Sequence, residues 1–341
     1  MDAKEFVLKI PTFKEADLKA APITSLETLK SQACEKMKYK MELYVTYLQA
    51  AVVNKLSEYE TKKKFVVDRW NRETGGGGIT CVIQDGETFE KAGVNISVVW
   101  GELQPEQVKS MKSRGKDLTL EGKNEFFATG VSSVIHPQNP FIPTMHFNYR
   151  YFEVLDDTGK HTWWFGGGCD ITPTYLSEED AIHFHKTQKE ACDKHEASYY
   201  PKFKKWADDY FYSPHRSEHR GIGGLFFDDF DEKSIEECFS FIASCGSAII
   251  PSYAPIIEKH RHDKFNDQQR NWQLLRRGRY VEFNLVHDRG TKFGLATPNA
   301  RIESILMSLP LVARWEYMPC IADGSEEDKI MKVLKKARDW I

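Results

Sequence analysis

The chain has no C-x-x-C pair, no internal repeat, no low-complexity tract and no apolar run of ~18 residues that would cross a bilayer. It also lacks a strong net charge: the formal value is −3 over 341 residues, too close to neutral for a general binder of polyanions. Its seven cysteines, Cys34, Cys81, Cys169, Cys192, Cys238, Cys245 and Cys320, are odd in number and scattered. That pattern excludes a disulfide framework and a zinc knuckle, so they read as reduced thiols, mostly buried. The opening stretch MDAKEFVLKIPTFKEAD mixes acids with lysines, unlike a signal or an Arg-rich transit peptide, and a soluble cytoplasmic protein is expected. The phosphate loop G-x-x-x-x-G-K-[ST], the nucleophile elbow G-x-S-x-G and the zinc helix H-E-x-x-H are missing as well.

What is present points to one large α+β domain. Hydrophobic residues make up 41% of the chain, enough for a sizeable core, and no linker divides it. A single domain over 1–341 is expected, with 1–24 a peripheral or poorly structured segment. Apolar positions from Ser25 to Glu60 recur at three and four, predicting one helix that packs a stripe against the core. Gly75 to Gly78 follow, read as a hinge for a covering segment, and CVIQDGETFEKAGVNISVVWGEL looks like strands paired about Asp85-Gly86. Capping signals at Ser177 and Ser325 open helices reaching about His195 and Trp340, and another amphipathic helix covers roughly Ser234 to His260. RRGRYVEFNLVHDRGTKF alternates and predicts another half-buried strand, and Pro298 precedes a helix carrying Ile302 and Ile305. Strands that bunch together imply a large, mainly antiparallel sheet flanked on both faces by helices.

The chemically loaded segment is a hairpin. His146, Asn148 and Arg150 alternate with Phe147, Tyr149 and Tyr151, so a base, an amide and a guanidinium share one strand face, spaced about 7 Å apart. After a turn at Thr158-Gly159, WWFGGGCDITP forms the partner strand, ending at three glycines that present Asp170. Arg216 and Arg220 precede RGIGGLFFDDF, where Asp228 and Asp229 offer partners for these arginines. Residues 270–301 hold seven basic side chains against Glu282 and Asp288, which suggests a small anionic ligand. His136, His146, His185 and His215 are the metal-ligand candidates. No facial-triad spacing supports them, and His185, on the apolar stripe of its helix, reads better as a hydrogen-bonded core histidine.

HFNYRYFE, WWFGGGCDITP, HRSEHRGIGGLFFDDF and RRGRYVEFNLVHDRGTKFGLATPNARIESILMSLPLVARWEY together resemble the oxygen-dependent coproporphyrinogen III oxidases, from about Ser25 to the carboxyl terminus. The resemblance implies a homodimer, each subunit a large antiparallel sheet between helical layers. It implies oxidative decarboxylation of two propionates of coproporphyrinogen III to vinyl groups, giving protoporphyrinogen IX, with O2 consumed and CO2 and H2O2 released. By the same resemblance the proton donor falls on His146, further catalytic positions on Asp170 and Arg220, and substrate contacts on Ser132, Asn148, Tyr149, Arg150, Asn299, Ala300 and Arg301. Neither an organic cofactor nor a metal is expected; a metal, if bound, would take His136, His146, His185 and His215. Dimer contacts match Cys81 to Glu90 and roughly Tyr280 to Glu316. Ala207, His287 and Asn299 depart from the family's frequent cysteine, tyrosine and glycine. The substrate fits the residues, since arginines suit the carboxylates at the macrocycle rim, where Arg150, Arg220 and Arg301 are expected to hold propionates, and a carboxylate, Asp170, suits the pyrrole N–H groups at its centre. A His-ligated metal oxygenase is the nearest alternative, and a nucleic-acid module, suggested by the aromatics and arginines around Tyr149, Trp163 and Arg276, the more distant one. Neither nucleic acid nor a membrane span is expected as a partner.

Overall fold

The computed structural model describes residues 15–119, 122–297 and 300–341. After a 3-10 turn at Glu15–Asp17, the described chain forms helices α1 (Leu26–Gln32) and α2 (Met37–Ser57), where the periodicity had predicted one continuous helix. The break at 33–36 folds α1 back, and Leu29 and Ala33 pack against Leu43 and Tyr47 of α2. Helix α2 buries far more than a stripe: Met41, Tyr44, Val45, Leu48 and Val52 meet the sheet while Leu43 and Tyr47 meet α1. Residues 18–24 are tied to the body, with Arg69 donating to the Ala21 carbonyl at 2.9 Å and Thr24 donating twice to Glu42.

Strands β1 (Val66–Asn71), β2 (Gly76–Gln84) and β3 (Phe89–Glu102) are followed by helix α3 (Pro105–Ser113) and strands β4 (Asn124–Pro137), β5 (Thr144–Asp156) and β6 (His161–Thr172). Helices α4 (Glu178–Asp193) and α5 (Tyr199–Tyr210), the two-residue strands β7 (Tyr212–Ser213) and β8 (Glu218–His219), and β9 (Gly224–Phe230) come next. Helices α6 (Ile235–Ser247), α7 (Ile249–His260), α8 (Asp267–Val286), α9 (Arg289–Ala296), α10 (Ile302–Leu306) and α11 (Glu326–Lys335) complete the described chain. Seven strands form one sheet in the order β1-β2-β3-β4-β5-β6-β9, every neighbouring pair antiparallel. The α+β sheet expected from the sequence is thus observed, and Asp85, with φ of 55°, makes the β2–β3 turn.

Alternation gives the sheet two unlike faces. On one, Ile79, Cys81, Val94, Ile96, Val131, Phe147, Tyr149, Cys169, Leu225 and Phe227 are closed off beneath α2, α6 and α7. Each fully buried side chain of this size is worth roughly 1.5–3 kcal/mol, so this layer supplies the main cohesion. Helices α6 and α7 together are long and apolar enough to cross a membrane by composition, yet 61% of that window is buried inside the fold. The other face carries the polar residues. Helices that meet it include α8, through Phe283 against Phe226, α5, whose Tyr210 stacks on Phe226, α3, through Val108 beside Trp164, and α10, through Ser304 on Thr80.

Three sequence expectations are overturned here. Residues 276–286 are helical: an Asn266–Gln269 capping box starts α8, and Trp272, Arg276, Tyr280, Phe283 and Asn284 are buried at helical spacing. The three-residue alternation around Phe283 was too short to report a strand against that longer period. Gly76 to Gly78 are paired residues of β2, not a hinge, with Trp70 lying flat where a Gly78 side chain would stand. Gly166 to Gly168 and Asp170 lie inside β6, which runs on to Thr172, so Asp170 sits within the sheet and not at a strand end. Among smaller differences, the Ser234 helix divides at Ala248, the Ser177 cap accepts from Asp180 N–H without the reciprocal bond, and α11 stops at Lys335. Pro298 falls outside the described residues.

Candidate active site

Strand register assembles the site. Asn148 pairs with Ser132 on β4 and Gly168 on β6, Arg150 with Gly130 and Gly166, and His146 with Val134 and Asp170. Directly paired residues share a face, so Ser132, His146, Asn148, Arg150 and Asp170 stand together on the polar side of the sheet. His146, Asn148 and Arg150 are half-buried, as the alternation predicted. Tyr149 points the other way and is fully buried in the apolar core, so its side chain cannot meet a ligand bound beside its neighbours.

Asp170 is 1% exposed and both its oxygens are engaged. Arg220 Nη2 donates to Oδ1 and Oδ2, each at 2.9 Å, and His146 Nδ1 lies 2.8 Å from Oδ1. Burial alone would push this carboxyl up, but the Arg220 charge and the His146 bond outweigh it and hold Asp170 below the ordinary carboxylate range. An ionised carboxylate only accepts hydrogen bonds, so the His146 proton at this contact is on Nδ1. The other ring nitrogen, Nε2, belongs to a side chain that is 23% exposed.

Arg220 is closed in by the rings of Phe211, Tyr280 and Phe283, at 4.2, 4.7 and 4.9 Å from its guanidinium carbon, and Nη1 donates to Asn284 at 2.9 Å. Burial opposes its charge, yet Asp170 raises its pKa above the ordinary arginine value. Fully buried and committed to Asp170, Arg220 is not placed to hold a rim carboxylate, which corrects that expected role. Asp228 and Asp229 were expected to neutralise Arg216 and Arg220. Instead Asp228 takes Arg150 at 2.7 Å and Arg289 at 3.6 Å, Asp229 takes Arg114 at 3.3 Å, and Arg216 turns to Glu282 at 2.6 Å.

Arg150 reaches across β6 to do this. Its Nη1 donates to Asn148 Oδ1 at 2.7 Å and its Nη2 to Asp228 on β9, while the guanidinium occupies the space of a Gly166 side chain, 2.7 Å from where a Cβ would stand. The glycine therefore clears a path for an arginine that remains 38% exposed. Arg301, also exposed, is ion-paired with Asp68 at the β1 edge of the same sheet face. Ala300 is half-buried beside it, and Asn299 lies outside the described residues. The basic run 270–301 is largely consumed internally, Arg277 and Arg270 by Glu90, Arg276 by Glu218 and Arg279 by Glu282.

The four histidines do not converge. His136 bonds the Ser308 carbonyl at 2.9 Å and Thr144 at 3.3 Å, and His185 bonds Tyr200 at 3.0 Å and the Ile222 carbonyl at 3.1 Å. Burial, reinforced by Lys204, lowers His185 to about 3, a neutral core histidine as its helix stripe suggested. His215 meets Glu282 at 2.9 Å and His287 at 2.8 Å. Among the described residues no group of three metal-ligating side chains is gathered. All seven cysteines are free thiols, and only Cys34 and Cys320 are exposed. Of the expected dimer segment, Cys81, Ile83, Phe89 and Glu90 are buried within the chain, which leaves Gln84, Asp85 and Glu87 for outside contact. Sequence reasoning missed Tyr280, Phe211 and Phe283 around Arg220, because nothing in their spacing marks them as neighbours of residue 220.

Comparison with known proteins places the chain in a family. The profile of the family described as coproporphyrinogen III oxidase matches residues 40–340. A rat protein named oxygen-dependent coproporphyrinogen-III oxidase, mitochondrial, is 58% identical over the whole chain, which spans 76% of that protein. Its human counterpart is 60% identical over 94% of this chain and 71% of its own length, and a Drosophila melanogaster oxidase of the same name, without the compartment, is 58% identical over 94% and 83%. The cytoplasmic expectation finds no support in the mitochondrial names.

Proposed function

The chain belongs to the coproporphyrinogen III oxidase family, and we propose that it converts coproporphyrinogen III to protoporphyrinogen IX, with O2 as oxidant, through the Arg220–Asp170–His146 line. Each propionate loses CO2 and two hydrogens and becomes a vinyl group, while O2 takes up the two electrons and two protons as H2O2. The electron-rich porphyrinogen supplies those electrons itself, which is why the proposal includes neither an organic cofactor nor a metal.

One observation carries the reading: a half-exposed imidazole whose inner nitrogen is fixed by a buried ion pair, on the sheet face that also presents Arg150. In this proposal His146 Nε2 accepts the pyrrole N–H proton, and Asp170 holds the Nδ1–H tautomer and balances the imidazolium that forms. Asp170 thereby acts through His146 and not by direct contact with the macrocycle centre. The deprotonated pyrrole adds O2 at a ring carbon, and the bound peroxide takes the proton from the propionate β-carbon and leaves as its C–O bond breaks, gaining the imidazolium proton to become H2O2; CO2 then departs as the vinyl double bond forms and the ring nitrogen is reprotonated. Arg150, steadied by Asn148 and Asp228, and Arg301 hold rim carboxylates, with Ser132, Ala300 and Asn299 completing the contacts.

We also propose a homodimer. Its support is the number of exposed apolar side chains late in the chain, Val286, Phe293, Trp315, Tyr317 and Met318, of which Tyr317 is 95% exposed. The activity is tested by loading the protein anaerobically with coproporphyrinogen III and then adding O2. Formation of protoporphyrinogen IX with two CO2 per macrocycle supports the proposal; unchanged substrate overturns it.

A further inference from the structure

Residues 301–308 form a strap across the polar face of β1 to β4. Asn95 donates to the Ser304 carbonyl at 2.9 Å, Ser304 and Thr80 share a 3.0 Å hydrogen bond, and Lys91 reaches the Leu306 carbonyl at 3.4 Å. Met307 fills the space above Gly93. At the head of the strap Arg301 is held by Asp68, and its guanidinium carbon lies 5.9 Å from the ring centre of Trp70. Asp68 pairs with Thr80 and Trp70 with Gly78, which puts both on the face that carries Ser132, Asn148 and Arg150.

Two features of this corner are unsatisfied or provisional. The Trp70 indole N–H is closed to solvent yet has no acceptor, and a buried donor without a partner in a native fold calls for an explanation such as a missing ligand. The Asp68–Arg301 pair is about 40% exposed on both sides, so it is cheap to break. A guanidinium and an indole N–H beside each other are donors suited to one carboxylate.

We propose that Asp68 is a stand-in for a substrate propionate: in the free chain it occupies Arg301, and in the complex a rim carboxylate of the tetracarboxylate macrocycle displaces it and takes the Trp70 N–H as a second donor. Asp68 and Trp70 are then affinity-setting residues at the far edge of the site. Binding at this corner is an exchange of one carboxylate for another, which leaves the charge on Arg301 compensated throughout. The proposal rests on the reading of Arg301 as a carboxylate ligand.

The test is anaerobic equilibrium binding of coproporphyrinogen III, together with the kcat and KM split, for Asp68→Asn, Trp70→Phe and Arg301→Lys. Removing the competitor in Asp68→Asn tightens binding and lowers KM by about two- to fivefold, the scale of an exposed ion pair. Trp70→Phe, which deletes only the donor, weakens binding about two- to tenfold. Unchanged or weaker binding in Asp68→Asn, with Arg301→Lys still impaired, overturns the exchange while sparing Arg301. Unchanged binding in Arg301→Lys removes the reading on which the exchange stands.

Discussion

At the residue scale, the account turns on a carboxylate that never meets solvent. Removing Arg220 strands that charge, so Arg220→Met should cost about 3–5 kcal/mol in urea unfolding, well beyond an average core substitution. Asp170 also predicts an acid dependence. Its native pKa lies below its unfolded one, so its contribution to stability is complete above about pH 4 and is lost as pH falls through the depressed native value. Asp170→Asn should flatten that part of the stability-against-pH curve; an unchanged curve would show that the ion pair is not what the acid breaks. The alternation of His146, Asn148 and Arg150 was legible because period two over a strand is a local signal. The pairing of Asp170 with Arg220 was not, since fifty positions separate them and only the packing of β6 against the segment entering β9 brings them together. Reading Asp170 as directly exposed to ligand followed from taking the glycines as a strand end.

At the element scale, the central strands show what the glycines are for. A Cβ at Gly166 would meet the mobile end of Arg150, whereas a Cβ at Gly168 would stand 2.1 Å from the Leu225 carbonyl oxygen, in backbone that cannot give way. Gly166→Ala should therefore fold normally and raise KM by about two- to tenfold through the displaced guanidinium. Gly168→Ala should instead destabilise by about 1–3 kcal/mol or more, as overpacking does. Thermal melts and steady-state kinetics on the two variants separate these outcomes, and equal effects on both would contradict the assignment. The same scale explains the misread α8. Alternation in V-E-F-N-L is what a helix with a polar exposed side also shows over one turn, and the longer Trp272–Arg276–Tyr280–Phe283 spacing decides it. That helix brings Tyr280, Phe283 and Asn284 onto Arg220, so the error in element type also hid the site's second layer.

At the scale of the whole molecule, one antiparallel sheet separates cohesion from chemistry. The apolar face is sealed by α2, α6 and α7, and the polar face keeps its exposed arginines along β5 and at the β1 edge. The fold class was legible because bunched strands and a balanced composition leave few alternatives, while the order in which helices cover each face depends on long-range packing. If the proposed dimer uses the late exposed apolar side chains, Phe293→Asp with Tyr317→Asp should shift sedimentation from two chains to one without loss of helical signal. A dimer that survives both substitutions would place its interface elsewhere.

The most direct measurement of the central claim is single-turnover kinetics of Asp170→Asn. The variant is loaded anaerobically with coproporphyrinogen III and mixed with O2, with substrate binding measured beside it. The account predicts near-normal binding and a loss of about 10²–10⁴ in the rate of vinyl formation, the scale of a general base deprived of its orienting partner. Vinyl formation at the wild-type rate would contradict it.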